Sequence, residues 1–313
     1  MKKEIIIGTR TSRLALWQAR WVLRQLEEMH PDRAFALRGM KTTGDRIQDV
    51  SLAKIGDKGL FTKELEAALA RGEIDLAVHS MKDLPTRLPP GLALGAICRR
   101  EYPGDVLISR TGSTLEHLPP GARVGTSSLR RTAQLLHFRS DLEIVPLRGN
   151  LTTRLRKLEA MNLDALVLAY AGVHRLGLDD LITQRIPFSV CLPAVGQGAL
   201  GIEIRAADEE IQEMVRPLDD PASRASITAE RAFLRRLEGG CQVPVGALGE
   251  VRGRELVLEG VVVSLDGRHL VRDLVRGPAG RAESLGEGLA ERLVSRGAGE
   301  ILKKARQEFG IDA

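Results

Sequence analysis

From residue 4 to residue 169 the chain alternates short apolar runs with stretches of helical period, in two successive series. In the first, EIIIG (4–8), AFALRGM (34–40), IDLAVHS (74–80) and GLALGAI (91–97) read as strands, and helices are expected over 13–29 and 61–72. Ser12 stands where it can cap the first helix, whose Leu16, Ala19, Leu23 and Leu26 share one face. Gly72 follows the second helix as a normal stop. RREYPGD (99–105) breaks the pattern and is a candidate hinge. In the second series DVLISR, ARVGTSS, LEIVPL (142–147) and DALVLA (164–169) read as strands, with helices over 129–139 and 151–161. Strands separated by helices argue for an α/β fold, a parallel or mixed sheet covered on both faces and here built twice.

PAVGQGALGIEIRA (193–206) is placed to carry the chain back to the first lobe, before helices at 208–216 and 224–237. PVGALGEV, ELVLEGVVVS and HLVRDLV then read as three strands, and 282–308 as one helix, which makes a small α+β domain. The expected division is 1–99 with 199–219, then 100–198, then 220–313.

A chain of 313 residues can hold two or three domains. No apolar run approaches the roughly 20 residues of a membrane helix. The opening MKKEIIIGTR has three consecutive apolar residues, short of the about 7–15 of a secretory core, so a cytoplasmic protein is expected. Cys98, Cys191 and Cys241 are far apart and odd in number, which argues against a disulfide framework. With no CxxC or HExxH, no metal site is expected. The net charge of +5 suits an anionic partner, either nucleic acid or a small molecule. Aromatic residues make up 3%, too few for base-stacking platforms, which favours a small acid-rich ligand. GQGALG (196–201) matches GxGxxG, but Pro193 precedes it and strand-like GIEIR follows it. A dinucleotide site needs strand before and helix after, so the glycines fit a tight interdomain crossing better.

Three strand-to-helix turns share one composition. VGTSSLRRTAQLL (124–136) sets Thr126, Ser127 and Ser128 before a helix that opens with Arg130 and Arg131. Free N–H groups, the helix dipole and guanidinium forks together suit carboxylates or phosphates; an ordinary capped helix with a solvated face reads equally well. GTRTSRLALWQA (8–19) repeats the design with Arg10, Ser12 and Arg13, and PLRGNLTTRLRKL (146–158) repeats it with Arg148, Arg154 and Arg156. Ligands of open α/β sheets sit outside the carboxyl ends of strands, so three such turns would make a polycarboxylate or phosphate clamp. In AVHSMKDLP (77–85), Asp83 beside Lys82 is either a partner for a developing cation or a plain turn residue before Leu84-Pro85. IGDKGLFTKELE (55–66), with Lys54 and Lys58, is a lid or an exposed turn and lacks Walker spacing. Cys241 in LEGGCQVPVG is a small packed residue or an accessible thiol that neighbouring arginines would activate.

Taken together these segments resemble the porphobilinogen deaminase (hydroxymethylbilane synthase) family over essentially the whole chain. ERAFLRRLEGGCQVPVG (230–246) is similar to the family's cofactor-attachment signature, and HSMKDLP, GTSSLRR, LRGN, PAVGQGALGIE and GDKGLF occur in the family's order. Asp57 stands where a second glycine is common and Val245 where isoleucine is frequent. The resemblance implies two lobes like those of periplasmic binding proteins, with doubly wound sheets, and a third domain carrying Cys241. It implies a dipyrromethane cofactor held by a thioether to Cys241, onto which four porphobilinogen molecules are condensed with loss of ammonia before hydrolytic release of the tetrapyrrole. Asp83 would be the catalytic residue. Ser12, Lys82, Thr126, Ser128, Arg130, Arg131 and Arg148 would hold the cofactor, and Arg10, Arg13, Arg154, Arg175, Lys54, Lys58 and Ser80 the substrate. A monomer with no nucleic acid or membrane partner is expected. Growth at one aspartate would need domain movement or chain translocation. A non-catalytic bilobal anion-binding protein would explain the turns but not the cysteine loop. An RNA-binding protein would show strongly salt-dependent binding to oligonucleotides.

Overall fold

The structure, a computed structural model, describes residues 4–46, 59–237 and 243–309. In chain order the elements are β1 (Ile5–Arg10), α1 (Arg13–Met29), β2 (Phe35–Met40), α2 (Thr43–Arg46), α3 (Lys63–Ala70), β3 (Leu76–Ser80) and β4 (Leu92–Ile97). Next come β5 (Asp105–Ser109), β6 (Arg123–Gly125), α4 (Leu129–Phe138), β7 (Glu143–Val145), α5 (Leu151–Ala160), β8 (Ala165–Ala169), α6 (Tyr170–Arg175) and β9 (Gln184–Arg185). Last are β10 (Leu200–Arg205), α7 (Glu209–Val215), α8 (Pro221–Arg236), β11 (Val245–Arg252), β12 (Glu255–Val263), β13 (Leu270–Pro278), α9 (Ala282–Leu293) and α10 (Gly299–Phe309).

The described residues form two compact units, one of 4–46, 59–101 and 199–224, the other of 102–198 with 225–237 and 243–309. The first unit holds a five-stranded sheet of order β2-β1-β3-β10-β4. There β1 runs parallel to β2 and β3, while β10 is antiparallel to β3 and β4. The segment expected to return to the first lobe therefore inserts as an inner strand. The second unit repeats the plan as β7-β6-β8-β5-β9, with β5 as the antiparallel insert. It also contains the antiparallel meander β11-β12-β13. The fold is α/β with two doubly wound sheets and a small α+β C-terminal part. Among the described residues no helix is long and apolar enough to cross a membrane.

Strand residues of alternate parity feed opposite faces, as the pleat requires. On β5 and β8, Leu107, Ala165 and Val167 enter one core, and Val106, Ile108, Leu166 and Leu168 the other. In the first unit Ile5 and Ile7 meet Ala19, Val22 and Leu26 of α1, while Leu65, Ala68 and Leu69 of α3 cover the opposite face. The buried stripe of α1 is Ala15, Gln18, Ala19, Val22 and Leu26, so Leu16 and Leu23 lie at its half-buried margins. A third core joins Phe233 of α8 to Leu256, Leu258 and Val262 of β12 and to Leu289 and Leu293 of α9. Ala133 of α4 and Leu192 pack with Leu248, Val261 and Val263, which welds the second sheet's layer to the meander.

One expectation is corrected. The single helix expected over 282–308 is two, because Gly297 takes φ 101° between α9 and α10. That left-handed conformation interrupts the helical path, and glycine adopts it without a Cβ clash.

Candidate functional site

In the first unit the carboxyl ends of β1 and β3 carry the residues of two motifs. Ser12 caps α1, its side chain accepting from the Ala15 N–H at 3.3 Å, which satisfies one of the free donors of the first turn. The buried Thr9 hydroxyl donates to the Ala15 carbonyl at 3.1 Å and ties the strand end to the helix. Beyond Ser80 the chain makes a 3-10 turn, Met81–Asp83, fixed where the Met81 N–H donates to the Ala199 carbonyl at 3.0 Å. These turns bring Arg10 and Asp83 together. The Arg10 Nη1 lies 3.8 Å from Asp83 Oδ2, with side-chain exposures of 20% and 33%. The Arg10 guanidinium also stacks on the Phe61 ring, 4.2 Å from its centroid, a cation–π contact that sets its plane. Ser80 and Lys82 beside it are half-buried, and Arg13 is exposed.

The second unit treats its charges differently. Thr126 is buried, and its hydroxyl accepts from the Ser128 N–H at 3.2 Å. Ser127 donates to the Leu147 carbonyl and accepts from the Leu147 N–H, which joins the GTSS and LRGN segments. Ser128 is the N-cap of α4. Arg130 and Arg131, in its first turn, point inward. The Arg130 Nη1 donates to Asp105 Oδ2 at 2.8 Å and to the Leu192 carbonyl at 2.7 Å. The Arg131 Nη2 donates to Asp105 Oδ1 at 2.7 Å, and its Nη1 to the Val167 carbonyl at 3.0 Å. Gln197 adds its amide to Asp105 Oδ1 at 2.8 Å. Burial alone would push the Asp105 carboxyl up; Arg130 and Arg131 outweigh it and hold the group far below the usual carboxylate range. Burial pushes the adjacent Cys191 thiol up to about 12, so it is neutral at physiological pH. The Nε atoms of both arginines are buried and have no hydrogen-bond partner among the described residues.

Asn150 caps α5, accepting from the Thr153 N–H at 2.9 Å. Arg154 turns its Nε back to the Gly149 carbonyl at 2.8 Å, and burial lowers the half-buried Arg148. Arg175, at the end of α6, donates to the Gly198 carbonyl at 2.6 Å. Lys54, Lys58 and Cys241 lie outside the described residues.

Sequence reasoning passed over Asp105, Gln197 and Phe61. A signal for Asp105 existed. Two arginines in the first turn of a helix oppose its dipole, and that arrangement calls for a buried anion nearby.

Residues 5–213 match the family model "Porphobilinogen deaminase, dipyromethane cofactor binding domain", and residues 225–295 match "Porphobilinogen deaminase, C-terminal domain". The chain belongs to the porphobilinogen deaminase family. Members of that family are enzymes, and the larger matched domain is the one described as binding the cofactor. The porphobilinogen deaminase of Pelotomaculum thermopropionicum is 64% identical over 98% of this chain and 99% of its own length. That of Desulforudis audaxviator is 63% identical over 98% and 99%. Among solved structures, the probable amino-acid ABC transporter extracellular-binding protein YtmK from Bacillus subtilis is 13% identical, covers 70% of this chain and 90% of its own, and has a TM-score of 0.45. That likeness is to the fold alone.

Proposed function

We propose that the chain joins four porphobilinogen molecules head to tail, releasing ammonia at each addition and hydroxymethylbilane by hydrolysis, on a dipyrromethane held by a thioether to Cys241. Membership of the deaminase family supports this over nearly the whole length of the chain. When bound, the dipyrromethane supplies the free pyrrole α-carbon from which growth starts.

One observation carries the role of this chain's own residues: the meeting of Asp83 with Arg10 at the ends of β3 and β1. Loss of ammonia from the substrate leaves positive charge on its pyrrole nitrogen. A fixed carboxylate is the counterpart of an oxyanion hole for that charge, and it can relay a proton, taking one from a pyrrole N–H and handing it to the leaving amine. Arginine cannot, because it does not release its proton near neutral pH. At 3.8 Å Arg10 is beyond hydrogen-bond distance of Asp83; it orients the carboxylate and leaves its oxygens open to a substrate N–H.

Acetate and propionate groups of the pyrroles need cationic and hydroxyl partners. Arg10, Arg13, Lys54, Lys58, Ser80, Arg154 and Arg175 would serve the substrate, and Ser12, Lys82, Thr126, Ser128, Arg130, Arg131 and Arg148 the dipyrromethane. Two guanidiniums facing the single Asp105 carboxylate leave a positive charge that fits an acidic group of this kind. On this proposal the domains are 1–99 with 199–219, then 100–198, then 220–313.

Intact mass spectrometry tests the proposal. Active wild-type protein should exceed its sequence mass by one dipyrromethane, and Cys241→Ser should lack the increment and release no ammonia from porphobilinogen. A working wild-type chain with a bare thiol at Cys241 overturns it.

A further inference from the structure

The Asp105 carboxylate is fully buried and accepts from four side chains at once: Arg130 and Gln197 at 2.8 Å, Arg131 at 2.7 Å and the Cys191 thiol at 3.5 Å. Among the described residues Asp105 is the carboxylate paired with either arginine, and the neighbouring Cys191 thiol is uncharged. Two buried cations thus face one buried anion. Burying an unmatched charge is costly unless something pairs with it. Arg130 Nη1 is committed to Asp105, Cys191 Sγ and the Leu192 carbonyl, and the two Nη atoms of Arg131 to Asp105 and the Val167 carbonyl, whereas among the described residues both Nε atoms are buried without a partner.

The geometry points to Asp105 as a positioning residue: it fixes Arg130 and Arg131 through one Nη atom of each and, with a single negative charge against two positive ones, leaves the pair one unmatched positive charge for a carboxylate of the bound dipyrromethane. This rests on the function proposed above. Asp105 does not touch substrate; it acts through the arginines. Gln197 braces it from the segment that leads into β10, its amide also donating to the Pro103 carbonyl at 2.7 Å. The arginines are therefore anchored to both stretches by which the chain enters and leaves the second sheet.

The test compares wild type, Asp105→Asn and Gln197→Leu as full-length purified proteins. Intact mass gives the fraction carrying the dipyrromethane, and ammonia release is then scaled to that fraction. Asp105→Asn should carry the adduct in less than a fifth of its folded molecules, and those should turn over at least tenfold more slowly with KM for porphobilinogen within twofold of wild type. Gln197→Leu keeps every charge of the cluster and should load fully but turn over about threefold more slowly. A residue that merely supported the fold would lower the yield or the melting temperature and leave adduct fraction and scaled kcat alone. Wild-type occupancy and wild-type scaled kcat in Asp105→Asn overturn the inference; should that variant not fold, the same result in Gln197→Leu does so. A wild-type protein that is active without the adduct overturns the proposed function itself and takes this inference with it.

Discussion

Asp83 in the first unit and Asp105 in the second both meet arginine beside five-stranded sheets of the same plan, yet the two pairs differ in kind. Asp83 is one-third exposed and stands 3.8 Å from a single guanidinium. Asp105 is wholly buried and hydrogen-bonded to two. A carboxylate that must answer a transient charge needs open lone pairs and access. One that holds other groups in place needs all its acceptor capacity filled. Two carboxylates beside sheets of one plan thus stand in opposite settings, one suited to the chemistry proposed for it and the other to holding its neighbours.

The largest expected effect tests that contrast directly. Asp105→Asn leaves two buried guanidiniums unmatched and should cost about 3–5 kcal/mol in urea unfolding, the range for breaking a buried pair. Asp83→Asn should cost less than about 1 kcal/mol, as exposed pairs do. Equal losses would erase the distinction. Turnover should show the reverse order of sensitivity. Asp83→Ala should keep the adduct and release ammonia on the order of 100-fold more slowly, the scale of losing one preorganised charge partner; near-normal release would remove its proposed role.

Acid sharpens the comparison further. The folded Asp105 stays ionised far below its unfolded pKa of about 3.9. Below that value the unfolded chain binds a proton that the folded chain does not, so the contribution is complete above it and falls with pH by about 1.4 kcal/mol per unit. Wild type should show this slope below about pH 4, and Asp105→Asn should lack one proton's worth of it. The smallest effects are at the caps. Ser12→Ala and Ser128→Ala should each cost about 1 kcal/mol, with calorimetry showing similar losses if the two helices start alike.

Much of this architecture could be read from the letters. Ser12 before an apolar period gave the start of α1, and the strand-like GIEIR after the glycines gave the return to the first sheet, because caps and period-2 alternation are local rules. The break at Gly297 was missed because an isolated glycine inside a helical pattern is usually tolerated. The inward turn of Arg130 and Arg131 was missed for a different reason. Burial of an arginine depends on an anion distant in sequence, and Asp105 reads as the plain first residue of a strand. Of the site, the local pieces were legible and the pairing of Arg10 with Asp83 was not, since it depends on β1 and β3 lying side by side.

The strand order of the first sheet has a consequence for biosynthesis. Among the described residues β4 pairs with β10 alone, so a nascent chain emerging from the ribosome must hold β4 without that partner until the whole of β5 to β9 has been translated. The second sheet, whose strands all lie within one uninterrupted stretch, can close first. The N-terminal sheet is the later of the two to be completed, and an early pause or truncation would strand its apolar edge in solvent.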